Sequence, residues 1–130
     1  LHKQLKGDLP EVLGDTQLLY QALFDIIANA RWAIHKKSSQ GGLINIKTQY
    51  EEEKGMVTMS ISDNGIGIPE ENLRKVFDPF FTTKPVGEGV GLGLSIVYGI
   101  IKEHKGDIGV ESQTGEGATF KISLPAFKNG

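Results

Sequence analysis

Glycine occupies every second position from Gly87 to Gly93, and the run passes straight into the helical apolar pattern of Leu92, Leu94, Ile96, Val97, Ile100 and Ile101. A firm helix following at once argues against a flexible linker. Backbone amides without side chains at a helix N-terminus form an anion cradle, reinforced by the helix dipole, and phosphate is the commonest occupant. The run is not a P-loop, which needs Lys and then Ser or Thr after its glycines. Nor does it have the spacing of the dinucleotide-binding glycines that follow a first strand. Phosphate binding by another fold is therefore the favoured reading over a linker.

The rest of the chain bounds that fold. Its 130 residues are near the usual length of a single domain, and 38% hydrophobic with 23% charged residues describes a globular one. No apolar run approaches the ~18 to 20 residues of a bilayer span, and the N-terminus lacks the apolar core of a signal peptide, so a soluble chain is expected. With 14 basic and 16 acidic side chains the net charge is −2, which argues against a broad nucleic-acid-binding face. The absence of cysteine excludes a disulfide scaffold, a zinc ribbon and thiol catalysis. Glycine, 17 residues in all, stands close to twice the ~7% of average usage.

Periodicity orders the elements. From Asp15 to about Lys37, Leu19, Leu23, Ile26, Ile27, Ala30 and Ile34 recur at helical spacing, with Asp15 or Thr16 as N-cap. The residues before them read as short edge strands or an extended approach. Two alternating, β-rich stretches, 43–50 and 56–63, flank a charged turn and predict an antiparallel hairpin. Pro69 opens a short helix to about Val76. No periodicity survives from Phe77 to Gly89, the mark of a functional loop or lid. A second long helix ends at 102–105 before Gly106, and a second hairpin, 107–112 with 118–124, closes the chain. Helices on one face of paired antiparallel strands make an α+β two-layer sandwich.

Three further segments have chemical potential. Asp63, at a strand's end before Asn64, Gly65, Gly67 and Ile68, can accept a hydrogen bond from an exocyclic amine, or simply be solvated at a turn. Asp25 and Asn29 lie four apart and project from one side of the first helix. Mid-helix Asn costs a few tenths of a kcal/mol (~0.5) in propensity, and its amide oxygen can supply one ligand to Mg²⁺; a solvated helix face explains the same pair. Phe77, Phe80 and Phe81 should anchor the loop, and Lys84 lies within reach of a terminal phosphate. His2, His35 and His104 look incidental, with a cation mildly favoured at His104 in its helix's last turn.

Taken in order, these segments resemble the catalytic and ATP-binding (HATPase) domain of sensor histidine kinases, within the GHKL superfamily that also holds type II topoisomerases, a heat-shock chaperone and mismatch-repair ATPases. Asp25 to Ala30 is similar to the N box, Asp63 to Gly67 to the first glycine box, Phe77 to Lys84 to the F box, Gly89 to Leu94 to the second glycine box, and Gly115 to Phe120 to the third. The resemblance covers about 9–124 and implies a single domain over 1–130 of the Bergerat type. That is a mixed, mostly antiparallel sheet of about five strands under three helices, with an ATP lid at about 77–93. It implies that Asp63 recognises the adenine amine, helped through water by Thr119, and that Gly65 and Gly67, beside Ile68, let the base in. Gly89, Gly91 and Gly93, flanked by Leu92 and Leu94, would wrap the phosphates. Asn29 would ligate Mg²⁺ and Lys84 would reach the γ-phosphate.

Two departures follow. Many histidine kinases carry Asn where this chain has Asp25, and the hydrolysing relatives place a water-activating Glu there, so Asp25 would orient a magnesium water or act as a base. No histidine here lies in the family's phosphoacceptor context. The expected activity is therefore transfer of the γ-phosphoryl of Mg-ATP to a histidine on a separate helical dimerisation domain of the same parent, with a response regulator receiver domain downstream. The alternatives are a conformational ATPase and a nucleotide-binding or serine-kinase-like regulatory module. A monomeric, cytoplasmic fragment of a homodimeric, membrane-anchored or soluble parent is expected, with no nucleic-acid partner. Eight glycines, at 65, 67, 87, 89, 91, 93, 115 and 117, fall in or beside the glycine boxes and should resist a side chain, whereas the other nine read as ordinary turn, cap and terminal residues.

Overall fold

A computed structural model describes residues 2–4, 12, 14–37, 41–78 and 93–126. Edge strand β1 (His2–Gln4) precedes helix α1 (Thr16–Lys37). Asp15 is the N-cap the spacing predicts: its Oδ1 accepts the Leu18 N–H at 3.1 Å, satisfying one of the donors a helix start leaves without a partner. Ala22, Ile26, Ala30 and Ala33 form the buried stripe of α1. The hairpin follows as β2 (Ile44–Glu51) and β3 (Met56–Asp63), then helix α2 (Gly93–Glu103), β4 (Asp107–Gln113) and β5 (Gly117–Pro125).

The sheet order is β1-β2-β3-β5-β4, with β1 parallel to β2 and every other pair antiparallel. Alternation gives it two unlike faces. Ile44, Ile46, Ile61, Phe120 and Ile122 point inward and join Ile26, Ala30, Val97, Ile100 and Ile101 of the two helices in one core. The other face carries the row Asn45, Ser62, Thr119 and Glu111, successive partners across four strands, and this polar row has no helix layer to meet. Both helices therefore cover one face of an α+β, two-layer domain. No helix among the described residues is long and apolar enough to cross a membrane.

The segment expected as a third helix is shorter than that. Only Glu70–Asn72 is helical, a single 3₁₀ turn with Pro69 as its cap, followed by successive turns to Phe77. Its bonds span three residues, Asn72 N–H to Pro69 at 2.8 Å and Lys75 N–H to Asn72 at 2.9 Å. The polar residues around Leu73 and Val76 leave too small an apolar stripe to offset the cost of nucleating an α-helix.

Helix α2 ends with Lys105 in the left-handed region at φ 63°, while the Gly106 N–H returns to the Ile101 carbonyl at 2.9 Å. Gly106 is needed for a different reason: a Cβ there would collide with the Ser123 carbonyl of β5. At the same end, His104 ties the two helices together. Its Nε2 accepts the Asp15 N–H at 2.9 Å, which makes Nδ1 the protonated nitrogen that donates to the Ile100 carbonyl at 2.8 Å. His104 is thus a structural bridge between the helices and not the incidental residue expected. Gly14 leaves room for it, since a Cβ at 14 would stand 2.6 Å from the imidazole.

Candidate functional site

The inward alternation of Met59 and Ile61 carries Asp63 to the core side of the sheet where β3 runs out, and only 9% of it is exposed. Its Oδ1 accepts the Gly65 N–H at 2.8 Å, and the Ala118 N–H supports the carboxylate as well. Burial pushes the Asp63 pKa above the ordinary carboxylate value, and the two backbone donors partly offset that rise. A buried carboxylate so placed keeps acceptor capacity for an incoming N–H donor.

The loop after Asp63 is held on three sides. Asn64 fixes it to the chain before β2, accepting the Leu43 N–H and donating to the Gly41 carbonyl, each at 2.8 Å. The Ile66 N–H donates to the Ala33 carbonyl of α1 at 3.1 Å, and Gly115 N–H donates to Ile66 O at 2.7 Å. A Cβ on Gly65 would lie 2.5 Å from the Ala33 carbonyl carbon, and one on Gly67, at φ +76°, would strike the Gln113 carbonyl. The space these glycines leave is thus filled by α1 and by the β4–β5 turn. The absence of a side chain at both positions lets these backbones pack closely.

Docking at Ala33 brings the loop to the C-terminal part of α1. Asn29 lies one turn before Ala33, half-buried, and Asp25 one turn earlier, where its carboxylate accepts Gln21 Nε2 at 2.8 Å. The flank of α1 carrying Asp25 and Asn29 therefore leads toward the Asp63 loop. Lys37, one turn beyond Ala33, donates to the Gly115 carbonyl at 2.8 Å and ties α1 to the β4–β5 turn. At the opening of α2, none of the described residues stands within 4 Å of where a Gly93 Cβ would be, and Leu94 packs on the core. Phe77 anchors the start of the expected lid, its ring 5.6 Å from Tyr98 and 6.2 Å from Phe120. Lys84, Gly89, Gly91 and Leu92 lie outside the described residues, as do Phe80 and Phe81.

Thr119 is not brought to Asp63. It pairs with Ser62, and the two hydroxyls lie 2.9 Å apart on the polar face of the sheet. Period two sets the side chain of Asp63, one residue further on, on the opposite face, beside Ala118. The inward series Ala118, Phe120 and Ile122, visible in the sequence, sets Thr119 on the outer face. Sequence reasoning also missed Ser112, a polar residue continuing the inward series Ile108 and Val110 of β4. Its Oγ accepts the Ile68 N–H at 2.7 Å and donates to the Gly117 carbonyl at 2.6 Å.

Among the described residues no group of three His, Asp or Glu side chains is placed to hold a metal ion. The Asn29 amide oxygen is a neutral donor of the kind that can give Mg²⁺ one ligand, with the others from phosphate and water.

Known proteins give this arrangement a class. The family described as "Histidine kinase-, DNA gyrase B-, and HSP90-like ATPase" matches residues 14–128, and the chain belongs to it. It is 44% identical to the signal transduction histidine-protein kinase AtoS of Escherichia coli K12, over 98% of this chain and 20% of that protein. It is 42% identical to the sensor kinase CckA of Brucella abortus, over 91% of this chain and 13% of that protein. The chain thus spans at most a fifth of the length of these two relatives. Among solved structures, the mycobacterial sensor histidine kinase MprB matches with TM-score 0.80 at 27% identity, over 98% of this chain and 85% of that one. Full-length ShkA in complex with AMPPNP matches with TM-score 0.82 at 26% identity, over 99% of this chain and 26% of that one.

Proposed function

We propose that this chain binds Mg-ATP and, as the catalytic domain of a two-component sensor kinase, delivers the γ-phosphoryl group to a histidine on a separate helical dimerisation domain of the same parent, from which it passes to a receiver domain. The observation that carries the reading is Asp63, a buried carboxylate fixed by backbone N–H groups at a strand end, beside a glycine loop docked one turn from Asn29. The histidine kinases among its relatives and the AMPPNP complex among its structural neighbours support it.

In this reading Asp63 accepts the adenine 6-amine, and Ile68 lies at the base end of the site. Gly89, Gly91 and Gly93, with Leu92 and Leu94, present backbone to the phosphates at the start of α2, where the helix dipole favours negative charge. Asn29 would hold Mg²⁺, which when bound neutralises charge on the phosphate oxygens. Lys84 reaches the γ-phosphate, and Asp25 orients water or takes a proton. An imidazole nitrogen of the partner attacks the γ-phosphorus in line, the bond to the β–γ bridging oxygen breaks, and ADP leaves with that electron pair. Positioning and charge stabilisation carry most of such a transfer.

Base selectivity tests the adenine end. Guanine presents a carbonyl oxygen where adenine presents an amine, so Asp63 should favour ATP over GTP. Calorimetric titration should find ATP binding in the wild type and none in a folded Asp63→Asn variant. Unchanged affinity in that variant would mean that adenine is read elsewhere.

A further inference from the structure

Resting on the reading of Asp63 as the adenine acceptor, we propose that Ser112 is a positioning residue for base recognition, clamping the two loops that frame Asp63. Ser112 pairs with Ala118 across β4 and β5, so Asp63, Ala118 and Ser112 stand in one inward-facing row over three strands. A hydroxyl in this half-buried position uses both of its capacities. It accepts from Ile68 N–H at 2.7 Å and donates to Gly117 O at 2.6 Å. Ile68 precedes Pro69, which holds it extended, and its N–H has no strand partner other than Ser112 among the described residues. Gly117 backs directly on the Asp63 carbonyl, where any Cβ would collide. One side chain therefore fixes the segment after the first glycine loop and the strand start behind Asp63.

The backbone bond from Gly115 N–H to Ile66 O, at 2.7 Å, holds the same two loops without Ser112. Removing the hydroxyl should then loosen the base end of the site while the fold persists. Thr and Val at 112 have the same shape and differ in the hydroxyl alone. Titration of ATP and GTP against Ser112→Thr and Ser112→Val should find near wild-type ATP affinity in the first. The second should bind ATP about five- to tenfold more weakly, with GTP affinity changed by less than about twofold, so that base selectivity narrows. Equal ATP affinity in the two variants, or an equal proportional loss for ATP and GTP, overturns the role. Asp63→Asn is titrated alongside: retained ATP affinity there overturns the adenine reading itself, whereas its loss together with equal Thr and Val variants overturns only Ser112. Hydrogen exchange of the nucleotide-free wild type needs no variant. The Ile68 amide should be protected like strand amides, and exchange at an open-loop rate contradicts the clamp.

Discussion

Asp63 ends a strand whose other inward side chains are apolar, so its charge depends on the two backbone N–H groups that reach it. Burial raises its folded pKa above the ordinary carboxylate value, so between the two values the folded state holds a proton that the unfolded chain has already released. Stability therefore falls as pH rises from the unfolded value through the raised folded one, and levels off above it. Denaturant unfolding across a pH series should show Asp63→Asn gaining on the wild type through that window and holding a constant difference beyond it. A difference independent of pH would mean that the carboxylate is not desolvated. At this scale the sequence was legible only where a pattern reached the residue. The place of Asp63 is legible in its strand end and the glycines after it, and the outward place of Thr119 in its alternation with Ala118 and Phe120. His104 and Ser112 act through partners far off in sequence, Asp15 and Ile68, which no local spacing reveals.

Elements were more legible, because hydrophobic period reports directly on burial. The two long helices and both hairpins follow from Ile26 and Ala30, from Val97 and Ile101, and from the alternation around Ile46, Ile61 and Ile122. The third helix is only a 3₁₀ turn, because the apolar stripe around Val76 is short. Glycine was legible in number but not in purpose, since composition cannot say what a missing Cβ would meet. Gly65, Gly67 and Gly117 are crowded as expected, but so are Gly14, Gly42 and Gly106 outside the glycine boxes, while Gly93 has open space. Two substitutions separate the cases. Gly65→Ala must displace the α1 backbone at Ala33 and should cost about 1–3 kcal/mol. Gly99→Ala, exposed within α2 with nothing within 4 Å, should gain about 0.5–1 kcal/mol from helix propensity. Thermal melts should move in opposite directions for the two, and a neutral Gly65→Ala would contradict the docking of the glycine loop on α1.

The whole molecule sets both helices on one face of the sheet, so that the loop after β3, the flank of α1 and the start of α2 belong to one side of the domain. His104 has both ring nitrogens engaged between the helices, and His35 is exposed in the last turn of α1 beside two lysines. The proposed acceptor is a histidine on another domain, and a single transfer experiment bears on it directly. The chain is incubated with Mg²⁺ and γ-labelled ATP, with and without a histidine-bearing helical domain of a sensor kinase. The account predicts acid-labile, base-stable label on the added domain alone. Rapid release of inorganic phosphate without transfer, or label on this chain itself, would contradict it.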